Sequence, residues 1–482
     1  MLTLDTAGVV APQDAAVHLD EVASRLLAQG HALLMAGQIE EAIKPLQQAT
    51  VVRPLEPGLY EVLANAMQAA GHDADATAAR LAAQAIRERA ARDLIAIGTS
   101  YARHKQWDAA GYWFLRAVLL DPDMADAHLH MGIALHELGR DDESEICARN
   151  ACMRQSIFID QAWPTQRRAV LVLCTSGQDN VPLQFLMPAP FSRQIRWTIE
   201  FGIVGPVREL PSYDLVFNAI GDTDRAPRGL EAAARFVPKA GKPVLNPPDR
   251  ILRTSRDQIP ALLAGLDGVH VPCTARWDPG AGTSLTASIA AAGLQYPVTI
   301  RPVGKHGGAG LRRLDSGQEA EEAGRGEKGE MYLSRYCDYR GADGYFRKYR
   351  AVFVDREPLP YHLVIGENWV LHYVTADMRA HAWKTEEERR FLEDPQAALG
   401  AAAWAAVREI GKRLDLDYCG VDFSLLPDGR VLVFEANATM LVHAESGEDE
   451  VLRFKNPYVQ RIFDAFEGML ARRMVQGRER RS

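Results

Sequence analysis

Three oxygen-bearing side chains sit on otherwise apolar sequence near the C-terminal end: Asp422, Glu435 and Asn437. Two apolar runs, 419–426 and 431–436, flank a Pro-Asp-Gly turn at 427–429, the pattern of a β-hairpin. Glu435 and Asn437 are two apart, so they share a face of one strand, and Asp422 can join them from the other. Hard oxygen ligands are what Mg²⁺ takes, usually shared with substrate phosphates. An edge hairpin showing its polar residues to water has the same spacing, so the neighbours must decide.

A second stretch able to do chemistry is the loop 304–310, with glycine at 304, 307, 308 and 310 around Lys305 and His306. Glycine lets backbone N–H groups turn toward an anion with no Cβ in the way. It is not a Walker A loop, because no Gly-Lys-Ser/Thr closes it, and it does not open a helix as a dinucleotide fingerprint does. His306-Gly307-Gly308 would suit a lipase-type oxyanion loop, but the Gly-x-Ser-x-Gly elbow is missing. A flexible surface hairpin would read the same way. Cations flank these stretches: Arg256, Arg301, Lys348 and Arg350. His362, Trp369, His372, Tyr373 and Asp377 form an unusual polar-aromatic segment, with His443 beyond the hairpin. These histidines are candidate substrate contacts or bases, and each also fits a plain hydrogen-bonded core role.

The elements that must hold these groups come in two styles. From residue 23 the chain repeats every 34 residues. Small residues recur at Gly30, Ala64, Gly98 and Gly132, at Ala42, Ala76, Ala110 and Ser144, and at Ala49, Ala83, Ala117 and Ala151. Proline follows the second helix of a unit at Pro54 and Pro122, and Leu46 and Phe114 supply bulk between the helices. Residues 1–22 read as a loose lead-in and 159–168 as a linker. Apolar runs at 169–174, 215–220 and 243–245 then read as buried parallel strands. Further on, a helix is expected from about 255 to 266. Strands are expected at 296–301, 331–338 and 348–355, and helices at 395–414 and 458–473.

Composition sets the limits. The 482 residues are 47% hydrophobic and 24% charged, enough for several soluble domains. A net charge of −8 argues against nucleic acid as the main partner, and no apolar run is long enough for a membrane span. The six cysteines form no Cys-x-x-Cys and no signal peptide precedes them, so a reducing cytoplasm is expected.

The 34-residue unit resembles the tetratricopeptide repeat family over 23–158. That resemblance implies an all-α solenoid whose first helices turn His31, Asn65, Gln68, Arg92, Arg103 and His136 toward a groove for a peptide or protein partner. A spacer or homodimer interface is the other reading. From 169 the order of the motifs resembles the ATP-grasp superfamily: Arg256, Arg301 before the glycine loop, a hinge at 331–338, Lys348-x-Arg350, then Asp422-x₁₂-Glu435-x-Asn437. The implied fold is an α/β domain at 169–260 and an α+β ATP-grasp unit. Its small lobe would span 261–345 and its large lobe 346–475, before a basic tail at 476–482.

The implied activity is ADP-forming ligation of a carboxylate to an amine through an acyl phosphate, on a peptide or a small carboxylate or amine substrate. The implied cofactors are ATP and Mg²⁺, two ions with Mn²⁺ as a substitute. By resemblance Asp422, Glu435 and Asn437 hold metal. Arg256, Arg301, Lys305, His306, Gly307, Gly308, Gly310 and Lys348 hold phosphates. Backbone at Tyr336 and Cys337 reads the adenine edge, with Asp338 or Asp343 near the ribose. Arg350 and Arg301 serve the transferred phosphate, and His372, Asp377 and His443 face substrate. The sequence departs from the family with arginine in place of lysine at 256 and 301, and with Arg335 where an acid or amide is common. The alternative function is a non-catalytic ATP-binding scaffold; a phosphotransferase would use the same site.

Overall fold

The computed structural model describes residues 12–479 except 178, 189, 306 and 446–450. The chain divides into two compact units, one of residues up to 156 with 204–206, the other of 157–203 and 207 onward.

The first unit is helical: α1 (Pro12–Met35), α2 (Ile39–Val52), α3 (Pro57–Ala69), α4 (Asp73–Glu88), α5 (Ala91–Arg103), α6 (Trp107–Leu120), α7 (Ala125–Glu137) and α8 (Asp141–Arg154). Consecutive helices pair as hairpins, and the second helices begin at Ile39, Asp73, Trp107 and Asp141, a 34-residue step. The small residues at those steps are where the helices touch. A Cβ on Gly98 would lie 2.5 Å from Phe114 Cε1, and one on Gly30 would lie 2.5 Å from Leu46 Cδ2. The lead-in expected through residue 22 is instead helix from Pro12. Ala15, Ala16, Leu19 and Val22 fall at helical spacing there, too few to stand out by eye. Arg116, 2% exposed, lies 3.2 Å over the Tyr112 ring and donates to Tyr60 and to the Thr50 carbonyl.

The second unit holds three sheets. The first comprises β1 (Ile157–Ile159), β2 (Arg168–Cys174), β3 (Ser192–Thr198), β4 (Leu215–Asn218) and β5 (Val244–Leu245), in the order β1-β3-β2-β4-β5. All but β1 are parallel. The later strands are β6 (Val269–His270), β7 (Thr274–Trp277), β8 (Val298–Pro302), β9 (Arg312–Leu314), β10 (Met331–Arg335), β11 (Phe346–Val354), β12 (Glu357–Gly366), β13 (Tyr418–Leu425) and β14 (Val431–Asn437). They form an antiparallel sheet β7-β10-β8-β9 and a sheet β12-β11-β13-β14-β6 in which β6 runs parallel to β14.

The parallel sheet and the last sheet share a core. Phe466 of the C-terminal helix Asn456–Glu479 meets Phe217 at 5.7 Å and Tyr418 at 5.5 Å. Asn246 clips them together: its Nδ2 donates to the Tyr418 carbonyl, and its Oδ1 accepts from the N–H groups of Asp417 and Tyr418. The sheet β7-β10-β8-β9 keeps its own smaller core around Trp277, Ile300 and Leu333.

Several expected spans differ. The helix expected over 255–266 shrinks to Ile259–Leu262. Proline at 260 is tolerated only in a first turn, and Gly265 takes a left-handed conformation (φ +76°). The helix over 395–414 breaks at Gly400 (φ +88°) into Pro395–Leu399 and Ala401–Leu414. The last helix runs through Glu479 rather than stopping at 473. Among the described residues no helix is long and apolar enough to cross a membrane.

Candidate active site

The hairpin β13–β14 sets Asp422 opposite Glu435 and Gly420 opposite Asn437, with an irregularity between Asp422 and Phe423. All three polar groups line one cavity of about 730 Å³, within the range of small-molecule sites. The adjoining strand β11 pairs Arg350 with Asp422 on one side and with His362 of β12 on the other. Arg350 grips Asp422 at two points, Nε–Oδ1 2.5 Å and Nη2–Oδ2 2.9 Å, and Lys348 Nζ stands 3.7 Å from the same carboxylate. Arg256 reaches in from the turn after Thr254 and pairs with Glu435. Arg301, at the end of β8, faces the same space.

The charges are strongly coupled. Burial alone would raise the Glu435 carboxyl, but Arg256 and then Arg301 outweigh it and hold Glu435 well below the usual range. Arg301 is pushed down to about 10, first by burial and then by the neighbouring Arg256 charge. Its Nη2 donates to the Lys305 carbonyl, while its Nε is buried with no hydrogen-bond partner among the described residues. A buried guanidinium N–H without an acceptor is costly, and an anion between Arg301 and Arg256 would relieve both effects.

The glycine loop takes left-handed backbone at Gly304, Gly307, Gly308 and Gly310, as its sequence requires. Gly308 lies where a Cβ would come 2.9 Å from His372 Nε2, and Gly304 where one would come 3.1 Å from Arg225 Cγ. Gly310 packs on Pro302 and is not among the cavity's lining residues; His306 lies outside the described residues. Lys305, Gly307 and Gly308 line the cavity.

At the other end Tyr336 and Cys337 line the cavity after β10. The Tyr336 N–H is donated to the Pro297 carbonyl. Arg313 covers the Tyr336 ring at 4.3 Å, and Cys337 Sγ is 3.4 Å from His270 Nε2.

Not every expected residue arrives. His372 lines the cleft, whereas Asp377 is exposed, with left-handed backbone (φ +48°) before a 3₁₀ turn. His443 packs beside Phe185, its N–H donating to Tyr361 Oη, outside the cavity lining. Asp338 is exposed and accepts from the Arg340 N–H; Asp343 is held by Arg347. Asp338 is held by its own turn and Asp343 by an arginine, which spacing alone does not reveal.

The structure adds Asp179 and Arg225, an ion pair at 3.3 Å, to the cleft wall. They follow β2 and β4, between which the parallel sheet reverses strand order, the place where open α/β sheets present ligands. Asp224, Arg276 and Tyr332 brace the same corner.

The two carboxylates, Asp422 buried and Glu435 half-buried, are oxygen-only and suit a hard cation that completes its shell with ligand oxygens. Asn437 fits less freely, because its Oδ1 accepts from both the N–H and the Oγ1 of Thr439 at 2.7 Å. Among the described residues no group of three or more His, Cys, Asp or Glu side chains could hold a metal by itself.

A cleft with acids on its floor, cations around them and a glycine loop at its edge is the class of site that binds a polyanion together with a hard cation. No protein-family model matches the sequence, and no curated protein matches it. Among solved structures the chain is similar to VanG D-Ala:D-Ser ligase from Enterococcus faecalis, at 19% identity over 54% of this chain and 74% of that one, TM-score 0.33. It is similar to a RimK domain protein ATP-grasp from Sphaerobacter thermophilus, at 18% identity over 64% and 99%, TM-score 0.36. It is also similar to D-alanine–D-alanine ligase from Bacillus anthracis complexed with ATP, at 12% identity over 67% and 100%, TM-score 0.39. These likenesses are distant.

Proposed function

We propose that the chain is an ATP-dependent ligase of ATP-grasp type that joins a carboxylate to an amine through an acyl phosphate, with the helical unit recruiting a peptide or protein substrate. The observation that carries this reading is the convergence of Arg256, Arg301, Lys348 and Arg350 on the buried Asp422 and the half-buried Glu435, with Arg301 Nε lacking an acceptor among the described residues.

In this reading Arg256 and Arg301 bind phosphate oxygens, and the loop 304–310 covers them with backbone N–H groups. Lys348 and Arg350 neutralise charge at the γ-phosphoryl as it passes to the substrate carboxylate, releasing ADP. The amine then attacks the carbonyl carbon, gives up a proton and expels phosphate. Little covalent work falls to the protein; positioning and charge neutralisation do most of it. Asp422 and Glu435, with Asn437 once Thr439 lets go, would hold Mg²⁺, which when bound offsets phosphate charge. His372 contributes to the acceptor wall.

The test is ADP release on presenting pools of carboxylates and peptides, with hydroxylamine added. Hydroxylamine traps an acyl phosphate as a hydroxamate and leaves a phosphoester intact. ADP with hydroxamate supports ligation. ADP with a stable phosphoester indicates a phosphotransferase. Nucleotide binding without any ADP indicates a scaffold.

A further inference from the structure

The ligation proposed above leaves a proton unassigned. An alkyl amine is an ammonium ion near neutral pH and attacks only after losing a proton. A protein base for that proton must line the cleft, be uncharged and have a nitrogen or oxygen still open to a partner.

Most titratable groups of the cleft are already engaged. Asp422 is held by Arg350, Glu435 by Arg256 and Asp179 by Arg225, and a carboxylate paired with a guanidinium is a poor base. Lysine and arginine side chains carry donors only. Tyr373 Oη donates to Glu388 at 2.8 Å, and Tyr339 Oη donates to the Trp369 carbonyl. Tyr336 and Cys337 stand at the far end of the cleft, after β10. Two imidazoles remain. His362 is wedged between the rings of Tyr361, at 5.2 Å, and Tyr373, at 5.5 Å, and its Nε2 is sealed from solvent.

His372 differs on each count. It lines the cleft, is half-buried, and its ring makes no hydrogen bond among the described residues. Its backbone is fixed on both sides. The Leu371 carbonyl accepts from Lys348 Nζ at 2.9 Å, and the His372 carbonyl accepts from the Thr375 N–H at 3.2 Å. The Nε2–Cε1 edge of the ring lies over the glycine loop: a Cβ on Gly308 would come 2.9 Å from Nε2, and one on Gly307 3.7 Å from Cε1. The imidazole therefore stands between the loop proposed to cover the phosphates and the lysine proposed to neutralise the γ-phosphoryl group. Burial, and then the Lys348 charge, hold the ring below the ordinary histidine range, so it is neutral near pH 7. A phosphoryl group beside Lys348 offsets that charge and makes the ring a better base.

We infer that His372 is the catalytic base of the ligation and takes the proton of the attacking amine. This rests on the ligase reading above. An ammonium becomes an amide N–H by losing two protons. The imidazole takes the first, which frees the lone pair that forms the C–N bond. The second leaves on a phosphate oxygen as the C–O bond of the acyl phosphate breaks with its electron pair on phosphate. The imidazolium then returns its proton to solvent.

The experiment gives the full-length protein ATP, Mg²⁺ and a carboxylate that releases ADP in the assay above, with either hydroxylamine or ethylamine as nucleophile near pH 7. Hydroxylamine is largely unprotonated there and needs no base, whereas ethylamine is protonated as a lysine head group is. His372→Gln should lower the ratio of amide to hydroxamate on the order of 10²-fold, the scale of a general base. Hydroxamate made by the same variant shows that its site is folded. Added imidazole should recover part of the amide in His372→Gly. Equal falls in both products would make His372 a wall of the site and overturn the inference. So would a wild type that makes hydroxamate and never the ethylamide. Absence of ADP and hydroxamate with every carboxylate removes the ligase reading itself, and this inference with it.

Discussion

Arg350 and Asp422 face each other across the β11–β13 ladder and close two hydrogen bonds, at 2.5 and 2.9 Å. The cation proposed for a phosphate and the acid proposed for a metal are therefore one unit, and changing either disturbs both.

Asp422→Asn keeps the shape and one acceptor for Arg350 but removes the charge. ADP formation is expected to fall on the order of 10³-fold, the scale of losing a charged group at a phosphoryl transition state. Because Asp422 is 3% exposed and held at two points by Arg350, the melting temperature should fall as well, by several degrees. A coupled ADP assay beside a thermal melt checks this, and an active Asp422→Asn protein would remove the acid from the mechanism.

Gly308→Ala places a methyl 2.9 Å from His372 Nε2 and 3.3 Å from Val370 Cγ1, at a φ of +73°. Affinity for an ATP analogue should drop about tenfold as the loop shifts, from strain of about 1–3 kcal/mol. Adding His372→Ala relieves the steric part and leaves the backbone part, so the double variant should recover partially. Calorimetric titration of both separates the contributions. No loss in the single variant would mean the loop does not touch nucleotide.

His362 gives a pH signature. Burial first, then the charges of Arg350, Lys455 and Lys348, hold its ring well below the ordinary histidine range, and its Nε2 is buried without a partner among the described residues. The folded state therefore refuses a proton that the unfolded chain accepts below about pH 6.5. Its contribution to stability is intact above that pH and is lost as pH falls, by up to about 1.4 kcal/mol per unit. His372 and His270 shift in the same direction, so the comparison must be with His362→Gln. Between pH 6.5 and 5.5 wild type should lose about 1 kcal/mol more than the variant in urea unfolding. Parallel losses would show that His362 takes up its proton in the fold.

How much of this was legible in the sequence depends on the range of the interaction. Asp422, Glu435 and Asn437 could be placed together because strand alternation and one turn fix them. The arginines could be named but not their partners, since Arg256 meets Glu435 across 179 positions. Asp179 and Arg225 were invisible because their place depends on the strand order of the parallel sheet, which no local pattern reveals. Asp377 and His443 looked available because the turn holding one and the packing around the other are set by tertiary contacts.

The helical unit makes its own prediction. Arg92 and Arg103 are exposed on α5 and were expected to face a partner groove. Replacing both with alanine should raise KM for a peptide substrate several-fold and leave ADP formation on a small substrate unchanged, since exposed substitutions barely affect folding. Equal effects on both substrates would make the unit a spacer.

Two glycines in that unit should respond to alanine with opposite signs. At Gly98 a Cβ would stand 2.5 Å from Phe114 Cε1 and 3.1 Å from the Ala110 carbonyl, and Phe114 is 1% exposed with little room to give. The overpacking costs about 1–3 kcal/mol, against a gain in helix propensity of about 1 kcal/mol, so Gly98→Ala should destabilise. At Gly111, also inside a helix, the nearest atom to the new Cβ is Ala134 Cβ at 3.8 Å, an ordinary contact. There only the propensity gain remains, and Gly111→Ala should stabilise by up to about 1 kcal/mol. Phe114→Leu should be less harmful in the Gly98→Ala background than in wild type, a coupling that only direct contact produces. Chemical denaturation of the wild type and the four variants tests this. Alanine acting with the same sign at both glycines would mean that close helix contact is not why residue 98 is glycine.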